Sequence, residues 1–262
     1  MTPDLPDILA RIVSVKRQEV RVKLQQLKAL ESTAEAQRGQ RRSFRQALEA
    51  VTPAIIAEIK QASPSKGVLC DDFNPARRAM EYFAGGASAL SGLTDDEFFQ
   101  GSLGDLKTAR ACAAVPVLRK DFTIDEIDVV ESAAAGADAI LLIAAILTGE
   151  KIERFQALAD YYGMDSLVEV HSPPELDRAL AAGARILGVN NRDLNSFKVS
   201  LQTAEQLAPH IPPTVLKVAE SGIHSRADID RLMACGFQAF LVGEHLMKSP
   251  DVPAAMRALT GR

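Results

Sequence analysis

From Pro53 onward the chain repeats one pattern, a short β-prone run followed by a longer stretch with helical periodicity. The runs are Ile55–Lys60, Ala89–Thr94, Pro116–Lys120, Ala139–Ala145, Ser166–Val170, Ile186–Asn191, Val215–Glu220 and Ala239–Glu244. The helical stretches between them are Ala76–Ala84, Ser102–Cys112, Ile127–Ala135, Lys151–Tyr162, Glu175–Ala182, Leu201–Leu207 and Arg226–Cys235. Strands alternating with helices at this spacing form βαβ units and therefore a parallel sheet. Several helical stretches end around a glycine, at 84–87, 135–137, 182–184 and 235–237, where a left-handed residue can cap a helix. Eight such units predict an α/β fold, a closed (β/α)8 TIM barrel, and barrels of about 250 residues commonly form one domain. A doubly wound open sheet is the competing architecture, although it usually has fewer strands and a ligand-binding glycine loop after the first. The sequence contains neither G-x-G-x-x-G nor G-x-x-x-x-G-K-[ST], so the dinucleotide and P-loop readings have no support.

Upstream of the barrel, Ile8, Leu9, Ile12, Val13, Val15 and Val20 form a helical stripe over 7–27. A polar segment with little to bury follows at 32–42, then a short helical pattern around Phe44–Ala50. Residues 1–262 thus read as one domain, with 1–50 as an N-terminal helical extension packing on the barrel. The net charge of −4 argues against a nucleic-acid partner, which needs a basic balance, but leaves room for a small anionic substrate held by local cations. Cys70, Cys112 and Cys235 are widely spaced and odd in number, so they read as reduced thiols and not as a disulfide frame or zinc site. No apolar stretch approaches the roughly 18 residues of a membrane span, and the charged N-terminus lacks a signal-peptide core. These features predict a cytoplasmic protein without a membrane partner.

In a parallel barrel the chemistry sits at the C-terminal ends of the strands. Here those ends are crowded with ionisable and amide groups while the strand starts are largely apolar. Side chains two apart share a face of a strand, so Ile56, Glu58 and Lys60 point one way. Leu118 and Lys120, Leu167 and Glu169, and Gly188 and Asn190 form similar series. If the charged member of each series faces the axis, Glu58, Lys60, Lys120, Glu169 and Asn190 converge at the mouth. Lysines and glutamates enclosed together perturb one another's protonation, as acid–base catalysis requires. The competing reading is a structural ion-pair network. The strand seven and eight ends, Glu220-Ser221-Gly222 and Val242-Gly243-Glu244, offer small residues where backbone N–H groups can meet a phosphate, a common placement in barrels.

The segments Ile56-Ala-Glu-Ile-Lys-Gln-Ala-Ser-Pro-Ser-Lys-Gly67, Phe98-Phe-Gln-Gly-Ser-Leu103, Pro116-Val-Leu-Arg-Lys-Asp-Phe122, Leu167-Val-Glu-Val-His171, Gly188-Val-Asn-Asn-Arg-Asp-Leu194 and Ala219-Glu-Ser-Gly-Ile223 resemble the strand-end motifs of the indole-3-glycerol phosphate synthases. The resemblance covers nearly the whole chain. It implies closure of an indole ring on 1-(2-carboxyphenylamino)-1-deoxyribulose 5-phosphate with loss of CO2 and water, a step of tryptophan biosynthesis that uses no metal or organic cofactor. Lys120 then matches the general acid, with Glu169, Glu58 and Lys60 in charge stabilisation and dehydration. Asn190 orients Glu58 or holds the substrate. Arg192 and Ser63 lie toward the substrate carboxylate, Phe99 and Phe122 wall its aromatic ring, and Ser221, Gly222, Gly243 and Glu244 take the phosphate. The N-terminal extension covers the mouth. The resemblance also implies a monomer, with association to other enzymes of the pathway left open.

Gly92 departs from the family, which usually has a bulky aliphatic residue there. The expectation is a small void, costing on the order of 1–3 kcal/mol, or a wider site beside strand two. By alternation Lys217 opposes Glu220 and should face the helices. His171 is placed to line the mouth, whereas His210, His224 and His245 read as loop or surface residues. Two other functions compete. A phosphoribosylanthranilate isomerase would share the phosphate site but use a Cys/Asp pair, and no strand end here carries a cysteine. A non-catalytic barrel has only Gly92 in its favour.

Overall fold

The computed structural model describes residues 6–64, 66–69, 72–194 and 196–261. Eight strands, β1 (Ala54–Ile59), β2 (Ala89–Leu93), β3 (Val117–Lys120), β4 (Ala139–Ile143), β5 (Asp165–Val170), β6 (Ile186–Asn190), β7 (Leu216–Glu220) and β8 (Ala239–Val242), pair in chain order. All pairings are parallel, and β8 closes on β1 with Ala54 opposite Ala239. Closure excludes the open sheet. The eight predicted runs fall on these strands to within about two residues, the usual uncertainty of such boundaries. Gly86, Gly136, Gly183 and Gly236 have positive φ, as the helix-ending pattern requires.

Each strand is buried on both faces, as expected of a parallel barrel under helices. In β1, Ala54 and Ile56 join an inner cluster with Ala89, Leu118, Ala139, Leu141, Leu167, Val218 and Leu241. The alternate residues Ile55, Ala57 and Ile59 pack outward into the helix layer. After the three helices of the N-terminal extension, α1 (Asp7–Lys23), α2 (Leu27–Gln37) and α3 (Phe44–Glu49), that layer comprises α4 (Pro75–Ala84), α5 (Leu103–Cys112), α6 (Glu126–Ala135), α7 (Gly149–Tyr161), α8 (Pro173–Ala181), α9 (Gln202–Leu207) and α10 (Arg226–Met233), followed by α11 (Glu244–Met247) and α12 (Val252–Thr260). Glu244, read as the end of strand eight, instead opens α11. The last helix and a two-residue hairpin, Ala62–Ser63 with Gly67–Val68, were not anticipated.

The N-terminal extension runs from one end of the barrel to the other. Its first helix (Asp7–Lys23, here the cover helix) packs Val13 and Val20 against Ile124 and Ile127, beyond the end of β3. A second helix (Leu27–Gln37) continues the chain. The polar segment at 32–42 is largely helical. Fully buried Ala34 supplies its core contact, and the arginines that follow find backbone acceptors. Arg41 donates to the carbonyls of Ala133 (2.6 Å) and Tyr162 (3.3 Å), and Arg42 to those of Ala113 and Val115 (both 2.7 Å). A third helix (Phe44–Glu49) seals the floor, where Phe44 and Leu48 pack among the alanines that begin β1, β2, β4 and β8. Cys112 and Cys235 are free thiols, and Cys70 lies outside the described residues.

Candidate active site

A cavity of about 630 Å³ opens at the C-terminal ends of the strands, roofed by Ile8, Leu9 and Ile12 of the cover helix. Glu58, Lys60, Lys120, Glu169 and Asn190 all line it, so the five predicted catalytic residues converge. Lys120 Nζ lies 2.9 Å from Glu169 Oε2 and 3.1 Å from Glu220 Oε2. Lys60 donates to Glu58. Glycine makes this crowding possible at two strand positions. A Cβ on Gly188 would fall 2.1 Å from Glu220 Oε1, and one on Gly243 would fall 2.3 Å from Glu58 Oε1. Only hydrogen leaves room for those carboxylates.

Burial opposes every charge in this cluster, and the neighbours decide the outcome. For Lys120, burial is outweighed by Glu169, Glu220 and Glu58, which raise its pKa and hold it as the ammonium. For Glu169, burial is outweighed by Lys120 and His171, together with a hydrogen bond from Asn190, which hold it low, at about 2. Burial pushes the Glu220 carboxyl up to about 7; Lys120 opposes this and the Glu169 charge adds to it. An ammonium thus stands between one fixed carboxylate and one that exchanges its proton near neutrality, a set suited to moving protons at a bound substrate.

Glu220 was missed as a member of this set. The alternation that turns Lys217 toward the helices and Val218 into the inner cluster also turns Glu220 inward, but the Glu-Ser-Gly run points by itself to a phosphate turn and not to the catalytic set. The Asn190 side chain helps hold the Glu169 carboxyl low, and its Oδ1 accepts the Arg192 N–H at 3.0 Å. His171 is not in the cavity wall. It stands behind Glu169, with Nε2 3.3 Å from Glu169 Oε1 and Nδ1 3.1 Å from Glu175 Oε2. Burial opposes its protonation, but the Glu175 bond and the Glu169 charge outweigh this and raise its pKa.

Ser63, Phe99, Phe122, Arg192, Ser221, Gly222, Gly243 and Glu244 also line the cavity. The rings of Phe99 and Phe122 approach with centroids 6.1 Å apart. Ser221 and Gly222 adopt consecutive left-handed conformations beyond β7, and α11 starts at Glu244 beside them. The Glu244 carboxylate is engaged by Lys248 Nζ at 2.7 Å, a bond that holds its pKa low. His224 and His245, read as loop or surface residues, also border this end of the cavity, with ring centroids 6.2 Å apart. Gly92 does not face the site. A Cβ there would meet Leu106 of α5 at 3.7 Å, so it neither widens the mouth nor touches substrate. Lys217 points outward as expected, donating to the Ala208 carbonyl at 2.9 Å.

The family model of indole-3-glycerol phosphate synthase matches residues 9–259. The chain belongs to the indole-3-glycerol phosphate synthase family. A protein of that name from Albidiferax ferrireducens is 48% identical over 261 residues, covering 97% of this chain and 98% of its own. Another from Azospirillum brasilense is 45% identical over 260 residues, covering 97% and 99%. Among solved structures, a thiamine phosphate pyrophosphorylase from Pyrococcus furiosus superposes with a TM-score of 0.59 at 18% identity, covering 79% of this chain and 93% of its own. That likeness concerns the barrel alone. Membership of the synthase family, a family of carbon–carbon lyases, sets aside the isomerase reading. No helix among the described residues is long and apolar enough to cross a membrane.

Proposed function

We propose that this chain converts 1-(2-carboxyphenylamino)-1-deoxyribulose 5-phosphate to indole-3-glycerol phosphate, with Lys120 as the general acid. The observation that carries this assignment is the Lys120 ammonium held 2.9 Å from Glu169 and 3.1 Å from Glu220 inside the cavity. Lys120 protonates the ketone oxygen as the aromatic carbon attacks, forming the ring bond. The cationic intermediate then loses CO2, and Glu169 stabilises its charge. Glu58 and Lys60, already paired, handle the proton that accompanies the departing hydroxyl. Asn190 fixes Glu169 for this work. Arg192, with a guanidinium suited to two-pronged pairing, and Ser63 hold the substrate carboxylate. Phe99 and Phe122 flank the aromatic ring. Ser221, Gly222 and Gly243 take the phosphate, with Glu244 contributing its backbone N–H because its carboxylate is engaged by Lys248. Apolar cover from Ile8, Leu9 and Ile12 keeps water out and strengthens the contacts beneath.

The cover helix (Ile8, Leu9, Ile12) and the strand ends line the cavity together, which supports a single domain acting on a small phosphorylated substrate; a cytoplasmic monomer belongs to the same proposal. The test is a fluorescence assay for indole formation from the carboxyphenylamino-deoxyribulose phosphate, run beside Lys120→Ala. Turnover by the parent and a fall of about 10²–10⁴-fold in the variant are expected, the range for loss of a general acid. A folded parent that forms no indole overturns the reaction, and a variant of parental rate overturns the role of Lys120.

A further inference from the structure

Lys16, on the cover helix, is 2% exposed. A buried ammonium requires anionic partners. It has Asp95 Oδ2 at 2.9 Å, Asp121 Oδ1 at 3.0 Å and Glu19 Oε2 at 3.1 Å. Burial works against the charge, but these carboxylates outweigh it and raise the pKa, so Lys16 stays charged. Asp95 and Asp121 lie just beyond β2 and β3, and each fixes the backbone beside one wall phenylalanine. Asp95 Oδ1 accepts the Phe98 N–H at 2.7 Å, and its carbonyl accepts the Gly101 N–H at 2.8 Å, closing the turn that carries Phe99. Asp121 Oδ1 accepts the Phe122 N–H at 2.8 Å, while its Oδ2 takes the Thr94 hydroxyl at 2.6 Å and Arg119 at 2.9 Å. Lys16 is not in the cavity wall, but Ile12, Leu9 and Ile8, up to about two helical turns before it, are.

We propose that Lys16 is a positioning residue for the aromatic subsite, locking the cover helix to the two turns that carry Phe99 and Phe122. It thereby sets the width of the slot between roof and wall. The proposal rests on the reading in which that slot receives the aromatic ring of the substrate. Lys23 provides the contrast. It lies farther along the same helix and pairs with Asp128 and Glu131, both at 2.9 Å, and with Glu19. It docks the helix without reaching the carboxylates behind the phenylalanines.

Steady-state kinetics and melting temperatures of the full chain test this with Lys16→Met, Lys23→Met and Asp95→Asn. Lys16→Met is expected to raise KM about tenfold or more, with kcat changed less than about threefold, because the acid–base groups keep their places. Lys23→Met is expected to melt earlier with KM unchanged. Asp95→Asn keeps the acceptor for Phe98 but removes one charge facing Lys16, so a smaller rise in KM is expected; it decides the matter if Lys16→Met does not fold. A parental KM in Lys16→Met, an equal KM rise in Lys23→Met, or, should Lys16→Met not fold, a parental KM in Asp95→Asn overturns the proposal. A folded parent without turnover overturns the reading of the reaction, and this inference with it. Turnover in the parent with a parental KM in Lys16→Met overturns the inference alone.

Discussion

The floor and the mouth of the barrel are made by the same eight strands, yet space is allotted differently at each. At the floor, Ala54, Ala89, Ala139 and Ala239 keep the strand starts narrow, and Phe44 and Leu48 fill the gap with no exposed surface. At the mouth, Gly188 and Gly243 vacate room that Glu220 and Glu58 occupy. Small residues at one end admit hydrocarbon, and at the other they admit charge. Fully burying a large apolar side chain stabilises a fold by about 1.5–3 kcal/mol, whereas a buried ion cluster is weak support for stability. The floor therefore holds the barrel together, and the mouth is arranged for chemistry at some expense to the fold.

The sharpest way to break this contrast is at the floor. Phe44→Ala is expected to cost about 3–5 kcal/mol in unfolding free energy, the usual range for a buried phenylalanine. Measured by urea denaturation, that loss should leave kcat/KM unchanged well below the melting temperature. A large fall in kcat/KM with unchanged stability would reverse the roles of the two ends.

A second test uses pH at the mouth. Glu220 titrates at about 7 when folded, above the ordinary 4.5, so folding takes up a proton between those values. Its contribution to stability is complete below about 4.5 and is lost as pH rises through 7. Glu169, held at about 2, works in the opposite sense, losing its contribution as pH falls below 4.5. Glu220→Gln should therefore match the parent in stability at pH 5 and exceed it at pH 8, by on the order of a few kcal/mol. Unfolding curves at the two pH values give the difference directly, and a gap that does not change with pH would sink the expectation.

The smallest effect belongs to a residue that faces the helix layer and not the barrel interior. Gly92→Ala places a methyl group at ordinary contact distance from Leu106 and removes a flexible residue from a strand. A gain of about 0.4–1 kcal/mol is expected, with kinetics unaltered. A shift in KM would show that the position communicates with the mouth after all.

Much of this contrast was legible in the sequence because it depends on alternation along single strands. Period two placed Glu58, Lys120 and Glu169 on one face, and parallel closure carried that face to the mouth. What was missed depends on contacts between distant segments. His245 lies on α11 and meets the exposed loop residue His224 only because β7 and β8 are neighbours, so neither was placed beside the cavity from sequence. The segment at 32–42 looked idle because its arginines bond carbonyls about 70–120 residues away. Glu220 was concealed by its own motif, since the small residues after it drew the reading toward phosphate. Lys16 looked like one more charge on an amphipathic helix, and its burial between Asp95 and Asp121 exists only in the assembled barrel.

The order of parts in the N-terminal extension has a consequence for proteolysis. The chain lays down the roof first, with Ile8, Leu9 and Ile12, and the floor plug last, with Phe44 and Leu48. An exopeptidase entering from the amino end would strip the roof long before it reached the plug. The first degradation products would thus be folded barrels with an open mouth, and catalysis would be lost while the fold persisted.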